Sequence, residues 1–328
     1  MSARASLNLF YEEPDPDRWV PFDHNPRRLV RRLVRGPARP GGMMLAFLNL
    51  VGGLDQLGVS YRINDYRHLR AHPGELACLF GKTHVLDKIP QGTPILFGTS
   101  IYSHPNDDPE LPRRRPIRQV LVPSPWVQRM FQQVWPGIVS VWPTGIDTAR
   151  WTPDPAVTRD IDVLLYDKIY WQRERYERAL IEPLTAELRR RGLRVAVLRY
   201  GSYREEDLLD YGKRARAMVF LSRHETQGIA AQQVMSSDVP LFAWDAGGLW
   251  QDPKYAPHRV AFGPVSSVPY WDDRCGVKFT DETDMLPAFD AFWRGVEKRA
   301  YAPRQMILEG FTLEARAADY VRLAGLYG

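Results

Sequence analysis

Short apolar runs of strand length alternate along this chain with longer segments in which apolar residues recur every three or four positions. Such alternation marks βα units, in which helices cover both faces of a parallel sheet. In the first half, Leu7–Tyr11, Tyr61–Ile63, Leu76–Phe80, Ile95–Phe97, Val120–Val122 and Val139–Val141 read as strands. Helices are predicted over Met43–Leu57, directly after Gly41-Gly42, and over Val127–Val134. Trp142–Pro155 (WPTGIDTARWTPDP) is built of turn and linker residues and places a hinge there. A second series follows, with strands at Asp162–Tyr166, Arg194–Arg199, Ala217–Leu221 and Pro240–Trp244. Between them the pattern predicts helices over Gln172–Arg191, Glu205–Arg214 and Gln227–Ser236, and a closing helix over Thr312–Leu326. No repeat of solenoid period is visible.

Length turns this pattern into two domains, since 328 residues exceed one ordinary core. With 44% apolar and 25% charged residues the composition is globular. The chain has no apolar run of about 18 residues that would span a membrane. Its start, MSARASLNLFYEEPDPD, lacks the basic-then-apolar layout of a secretory leader. Two cysteines, Cys78 and Cys275, build neither a disulfide framework nor a cysteine-rich zinc site. These features predict a cytoplasmic protein. The net charge of +5 favours an anionic ligand, although much of it comes from arginine clusters at Arg27–Arg35, Arg113–Arg115 and Arg189–Arg191. No zinc-finger spacing or RNP-like aromatic pattern supports nucleic acid as a partner. Arg27–Arg35 (RRLVRRLVR) sets Leu29, Val30, Leu33 and Val34 on one helical face. Such a helix packs on the first domain or docks on an anionic membrane surface.

The segment richest in candidate chemistry is Ser222–Pro240, SRHETQGIAAQQVMSSDVP. It follows the strand AMVFL, so Glu225–Gly228 is expected to be a strand-to-helix turn. Unpaired N–H groups at the first turn of the next helix, from Gln227, Gly228 and Ile229 on, suit a phosphate or a sugar hydroxyl. Gly228 permits close approach of the ligand to the backbone. Glu225 stands at the mouth of that turn with His224 and Thr226 beside it, and Gln233 lies two helical turns on.

This segment resembles the acidic motif of retaining GT-B glycosyltransferases of the GT4 type, S-x-x-E-G-F-G-x-x-x-x-E-A. Ser222, Glu225 and Gly228 match it, while Gln233 stands where the second glutamate falls. Four other stretches resemble the family's elements in the same order. Pro40–Ile63 is similar to its N-terminal glycine loop and helix, and WPTGIDTARWTP to its interdomain strand. Leu164–Arg173 takes the place of the loop that carries its two cations, and Gly201–Ser222 of the stretch beside the nucleotide base. The resemblance implies an α/β, GT-B fold of two doubly wound Rossmann-like domains facing across a cleft. Residues 1–150 would be the acceptor domain, 151–305 the nucleotide-sugar domain, and 306–328 a helix returning toward the first domain. It implies transfer of a sugar from a nucleotide-diphosphate donor, with retention, without metal and without a cofactor. Glu225, Lys168 and Arg173 would be the catalytic residues. Gly41, Gly42, Tyr203, Ser222, His224, Thr226, Gln227, Gly228, Ile229 and Gln233 would contact the substrates. His84 and His104 are candidates for the family's acceptor-side histidine. A sugar-nucleotide epimerase on the same fold, or a binding relative that has lost catalysis, are the rival readings. Base, sugar, acceptor and oligomeric state are not specified by the sequence.

Overall fold

The computed structural model describes residues 6–13, 41–99, 101–252, 254–255 and 259–325. The chain divides into two compact units. The first takes the described residues up to Pro123, then Gln128–Trp142 and the chain from Ala317 onward; the second takes Ser124–Val127 and Pro143–Arg316. The predicted basic segment Arg27–Arg35 lies outside the described residues.

In the first unit, strands β1 (Leu7–Phe10), β2 (Tyr61–Ile63), β3 (Ala77–Leu79), β4 (Ile95–Phe97), β5 (Ile117–Val122) and β6 (Val139–Val141) form one parallel sheet in the order β2-β1-β3-β4-β5-β6. Helix α1 (Gly42–Leu57) buries Ala46, Phe47, Leu50 and Leu54, one face of a 3.6-residue period. It stops at Gly58, whose φ of 64° closes the last turn as only glycine does at little cost. The short helices α2 (Tyr66–Ala71) and α3 (Leu111–Arg114) follow, then α4 (Pro125–Gln132) at the division between units. The core packs Leu7, Leu9, Phe47, Leu50, Leu54, Phe80 and Trp142 with Ala317, Tyr320 and Val321 from the end of the chain.

In the second unit, β7 (Ile161–Lys168), β8 (Val195–Arg199), β9 (Ala215–Ser222), β10 (Leu241–Trp244) and β11 (Gly276–Phe279) form a second parallel sheet, order β11-β10-β9-β7-β8. Its helices are α5 (Arg173–Tyr176), α6 (Glu182–Arg190), α7 (Glu205–Arg214), α8 (Ile229–Ser236), α9 (Glu282–Glu297), α10 (Pro303–Gly310) and α11 (Leu313–Leu323), the last of which ends in the first unit. Strand alternation supplies two cores. Leu164, Tyr166, Met218 and Phe220 face Ala231, Val234 and Met235 of α8, whereas Val163, Leu165, Val219 and Leu221 face Leu184, Leu188, Phe289 and Phe292.

Three departures from the sequence reading have local causes. The single helix expected over Gln172–Arg191 is α5 and α6 joined by a π turn, Glu177–Ile181. Pro183 has no N–H for the preceding turn, and the wider turn accommodates it. The helix expected from Gln227 begins at Ile229, because Gly228, with φ 83°, is its N-cap. The pattern marks none of β11, α9 and α10. β11 has only four residues, and Pro287 inside α9 breaks the look of a helix.

Candidate functional site

The second sheet reverses its winding between β7 and β9, since β8 lies on the far side of β7 while β10 and β11 continue beyond β9. In open parallel sheets the two connections diverge at such a point and leave a crevice at the carboxyl ends of the strands. Lys168 and Ser222 are the last residues of β7 and β9 and are register partners there. The chain after Ser222 turns so that Glu225 comes back over this edge. Its carboxylate lies 2.8 Å from Lys168 Nζ and accepts the Ser222 hydroxyl at 2.8 Å. The Glu225 N–H donates to Ser266 O at 2.9 Å, which anchors the turn to the loop after β10. Ser267 braces that loop in turn, its hydroxyl donating to Trp244 O at 2.6 Å and its N–H to Asp245 at 2.9 Å. Lys168 and Glu225 are 20% and 12% exposed, so the pair is largely shielded from water. Removing one partner would therefore leave a poorly solvated charge.

Aromatic side chains surround the pair. Lys168 Nζ sits 4.5 Å over the ring of Tyr200, a cation–π contact, and Tyr170 meets Tyr200 edge to face at 5.6 Å. Both tyrosines remain about half exposed. Tyr203, the expected base contact, is turned inward: its hydroxyl shares a 2.8 Å hydrogen bond with that of Tyr166. Burial pushes the Tyr203 phenol up to about 12, so it acts as a neutral hydrogen-bonding group. The exposed ring of that turn is Tyr200, one residue before Gly201, whose φ is 85°. His224 stacks on Trp171 at 5.6 Å and its Nε2 meets Gln251 O at 3.0 Å. Burial lowers the His224 pKa and keeps the ring neutral. Sequence reasoning missed Tyr170, Trp171 and Tyr200, although YDKIYWQR and LRYGSY place all three just beyond strand ends.

The remaining expected residues divide. Gly228 and Ile229 open α8 beside Glu225, and Thr226 is exposed on the same turn. Gln233 lies further along α8 and is buried, 4% exposed. Gln227 turns away: its amide accepts Thr144 N–H at 2.9 Å and donates to Thr144 O at 2.8 Å and Gln232 at 2.8 Å. It secures the start of α8 against the chain that enters the second unit. Arg173 is committed as well, with Nη1 at 2.6 and 2.5 Å from the two oxygens of buried Asp167 and Nε at 3.2 Å from Glu177. Asp167 and Glu177 raise its pKa against the opposing effect of burial, the largest influence on it. Gly41 and Gly42 belong to the first unit, at the exposed start of α1. His104 is buried there and caps a short turn by accepting Asn106 N–H at 3.1 Å, whereas His84 lies 3.9 Å from Glu12. Cys275 is buried, its thiol pushed up to about 11 by that burial. Among the described residues, one group brings three metal-ligating side chains together: His68, His72 and Glu75, in the first unit.

The sequence matches no family profile and no curated protein. Among solved structures, the chain is similar to sucrose-phosphate synthase from Thermosynechococcus elongatus, with 14% identity, a TM-score of 0.56 and 98% of each chain covered. It is also similar to the lipopolysaccharide outer core galactosyltransferase WaaB, with 12% identity and a TM-score of 0.51 over 98% of this chain and 99% of that one. The fold is GT-B. The pneumococcal O-GlcNAc transferase GtfA is matched over 79% of this chain at 13% identity and TM-score 0.48, and the chain spans 59% of its length. At these identities the likeness is one of GT-B architecture. Among the described residues, no helix is long and apolar enough to cross a membrane.

Proposed function

We propose that this chain is a glycosyltransferase that moves a sugar from a nucleotide-diphosphate donor to an acceptor, with the donor held by the second unit. One observation carries the reading: Lys168 and Glu225 meet at the carboxyl ends of β7 and β9, where the sheet reverses, beside a glycine-capped helix start. In the reaction, the bond between the anomeric carbon and the diphosphate oxygen breaks and a bond to the acceptor oxygen forms. Charge grows on the leaving diphosphate, and a fixed cation with preorientated N–H groups lowers that barrier. Lys168 and the first N–H groups of α8 are assigned this role. Glu225 holds Lys168 in place and accepts hydroxyls of the sugar, and the Tyr200 ring offers a stacking face to the base. Arg173 contributes by fixing Asp167 and the start of α5. For transfer with retention, the acceptor proton passes to the departing phosphate oxygen on the same face, with no metal and no cofactor.

A binding relative without turnover is the second reading. It is favoured by the pairing of both basic residues, Lys168 with Glu225 and Arg173 with Asp167, and by the neutral Gln233. A thermal-shift panel with UDP, GDP, CDP, ADP and dTDP, followed by the matching sugar donors, tests both. A raised melting temperature with one nucleotide, abolished in Lys168→Met, is expected. Release of nucleotide from the donor identifies the enzyme. Binding without release, over a panel of acceptors and water alone, selects the second reading, and no shift with any nucleotide rejects both.

A further inference from the structure

The turn between β2 and β3 carries a constellation that glycosyl transfer does not use. Asp65 caps α2 by accepting His68 N–H at 2.9 Å, which sets the register of the single turn that follows. Leu69 then points into the core at 0% exposure, and His68 and His72, four residues apart, share a face of the helix end. Their rings stack at 4.2 Å with 22° between planes. Pro73 and Gly74 reverse the chain, and Glu75 returns to place its Oε2 2.9 Å from His68 Nε2. One ligand atom from each of the three residues lies within 4.8 Å of the others.

We propose that His68, His72 and Glu75 form a site for a divalent transition-metal ion, zinc foremost, that fastens the α2 turn to β1 and β3. Three features favour an ion over incidental packing. Zn–N and Zn–O bonds of about 2.0–2.2 Å put neighbouring ligand atoms roughly 3 Å apart, so His68 and Glu75 already have the required separation. His72 is exposed, and a ring nitrogen of it already lies within 4.8 Å of the ligand atoms of the other two residues. Its Nδ1 lies 3.0 Å from His68 O, and an N–H donated to that carbonyl leaves the lone pair on Nε2, the tautomer a metal takes. Finally, Glu75 is orientated from behind. Asn8 of β1, only 3% exposed, donates to Glu75 Oε2 at 2.9 Å and to Leu76 O at 3.3 Å. A buried amide aligning a carboxylate that faces two imidazoles is an outer-shell arrangement typical of metal sites. Two nitrogens and one oxygen, with water completing a tetrahedron, suit zinc, cobalt(II), nickel or copper(II) and disfavour magnesium and calcium.

The test uses the full-length untagged chain, stripped with EDTA and dialysed against metal-free buffer. Calorimetric titration with ZnCl2 is expected to show one equivalent bound, and one equivalent of CoCl2 to give visible d–d absorption. MgCl2 and CaCl2 should give neither heat of binding nor protection. Zinc should raise the melting temperature, and EDTA should reverse the rise. His72→Ala, at an exposed position, and Glu75→Gln, which keeps an acceptor for Asn8, should each weaken zinc binding at least tenfold while leaving the metal-free melting temperature within a degree or two. Substoichiometric binding, or wild-type zinc affinity in both variants, would overturn the proposal. Because the readouts are metal affinity and stability, the result is independent of whether sugar transfer is found.

Discussion

At the scale of single residues, the Lys168–Glu225 pair separates stability from function. Both charges are mostly withdrawn from water, and among the described residues Glu225 has only Lys168 as a cationic partner at hydrogen-bond distance. Lys168→Met should therefore cost about 1–3 kcal/mol through the stranded carboxylate, as well as donor turnover. Adding Glu225→Gln neutralises that carboxylate while Ser222 can still donate to it. The double variant should recover most of the lost urea midpoint, yet transfer should stay down by about 100-fold or more. Recovery of turnover in the double variant would remove Lys168 from the chemistry. The sequence located Lys168 and Glu225 beside strand ends, where the structure finds them, because each ends a strand or follows one closely and the positions of strand ends survive errors of a residue or two. It did not reveal which way Tyr203 and Gln227 point, because the direction of a side chain in a turn depends on backbone torsions. After Gly201, with its positive φ, Tyr203 points to Tyr166 and the half-exposed ring is Tyr200. A one-residue difference is invisible to spacing arguments.

Elements show the same division between what pattern reveals and what it hides. The βα alternation announced nearly every strand, since buried parallel strands are continuous apolar runs. Elements interrupted by proline, α9 above all, were hidden because Pro287 contradicts local propensity and only packing of Phe289 and Phe292 overrides it. Two glycines at helix starts make a useful contrast here. Gly228 has φ 83°, a conformation that costs an ordinary residue about 1–2 kcal/mol, while the nearest atom to an added Cβ would be a comfortable 3.6 Å away. Gly228→Ala should thus destabilise the second unit through backbone conformation alone and disturb the N–H groups of α8. Gly42 has no positive φ and nothing within 4 Å of an added Cβ. Gly42→Ala should be neutral or stabilising by up to about 1 kcal/mol. Chemical denaturation compared with nucleotide affinity reads both. If Gly42→Ala leaves stability intact but weakens nucleotide binding, the N-terminus of α1 joins the donor site. If binding is untouched, the glycine pair is an ordinary helix start.

For the whole molecule, the clearest solution consequence comes from one buried and one partly buried histidine, His104 and His224, one in each unit. His104 is 2% exposed and uses Nδ1 to accept Asn106 N–H, so protonation would cost both desolvation and a cap. His224 lies between Trp171 and the Gln251 backbone. Burial is the first cause of the lowered pKa in each. A histidine in the unfolded chain takes up its proton near pH 6.5, before its folded counterpart does. Below that pH the unfolded state binds more protons, and stability falls with each further drop until the folded pKa is passed. The loss per histidine is at most about 1.4 kcal/mol per pH unit over that window. The carboxylates held low by arginine partners, Asp162 against the larger opposing effect of burial and Glu187 by Arg190 and Arg191, begin to lose stability only near their unfolded values of about 4. Urea midpoints at pH 7.5 and 5.5 should accordingly differ. His104→Asn keeps a good capping residue but does not titrate, and His224→Asn removes the second group. Each should narrow the difference between the two pH values, and because the histidines belong to separate units the two effects should add in the double variant. A midpoint difference unchanged in the double variant would mean that other groups govern the acid response, and that His104 and His224 are free to ionise within the folded protein.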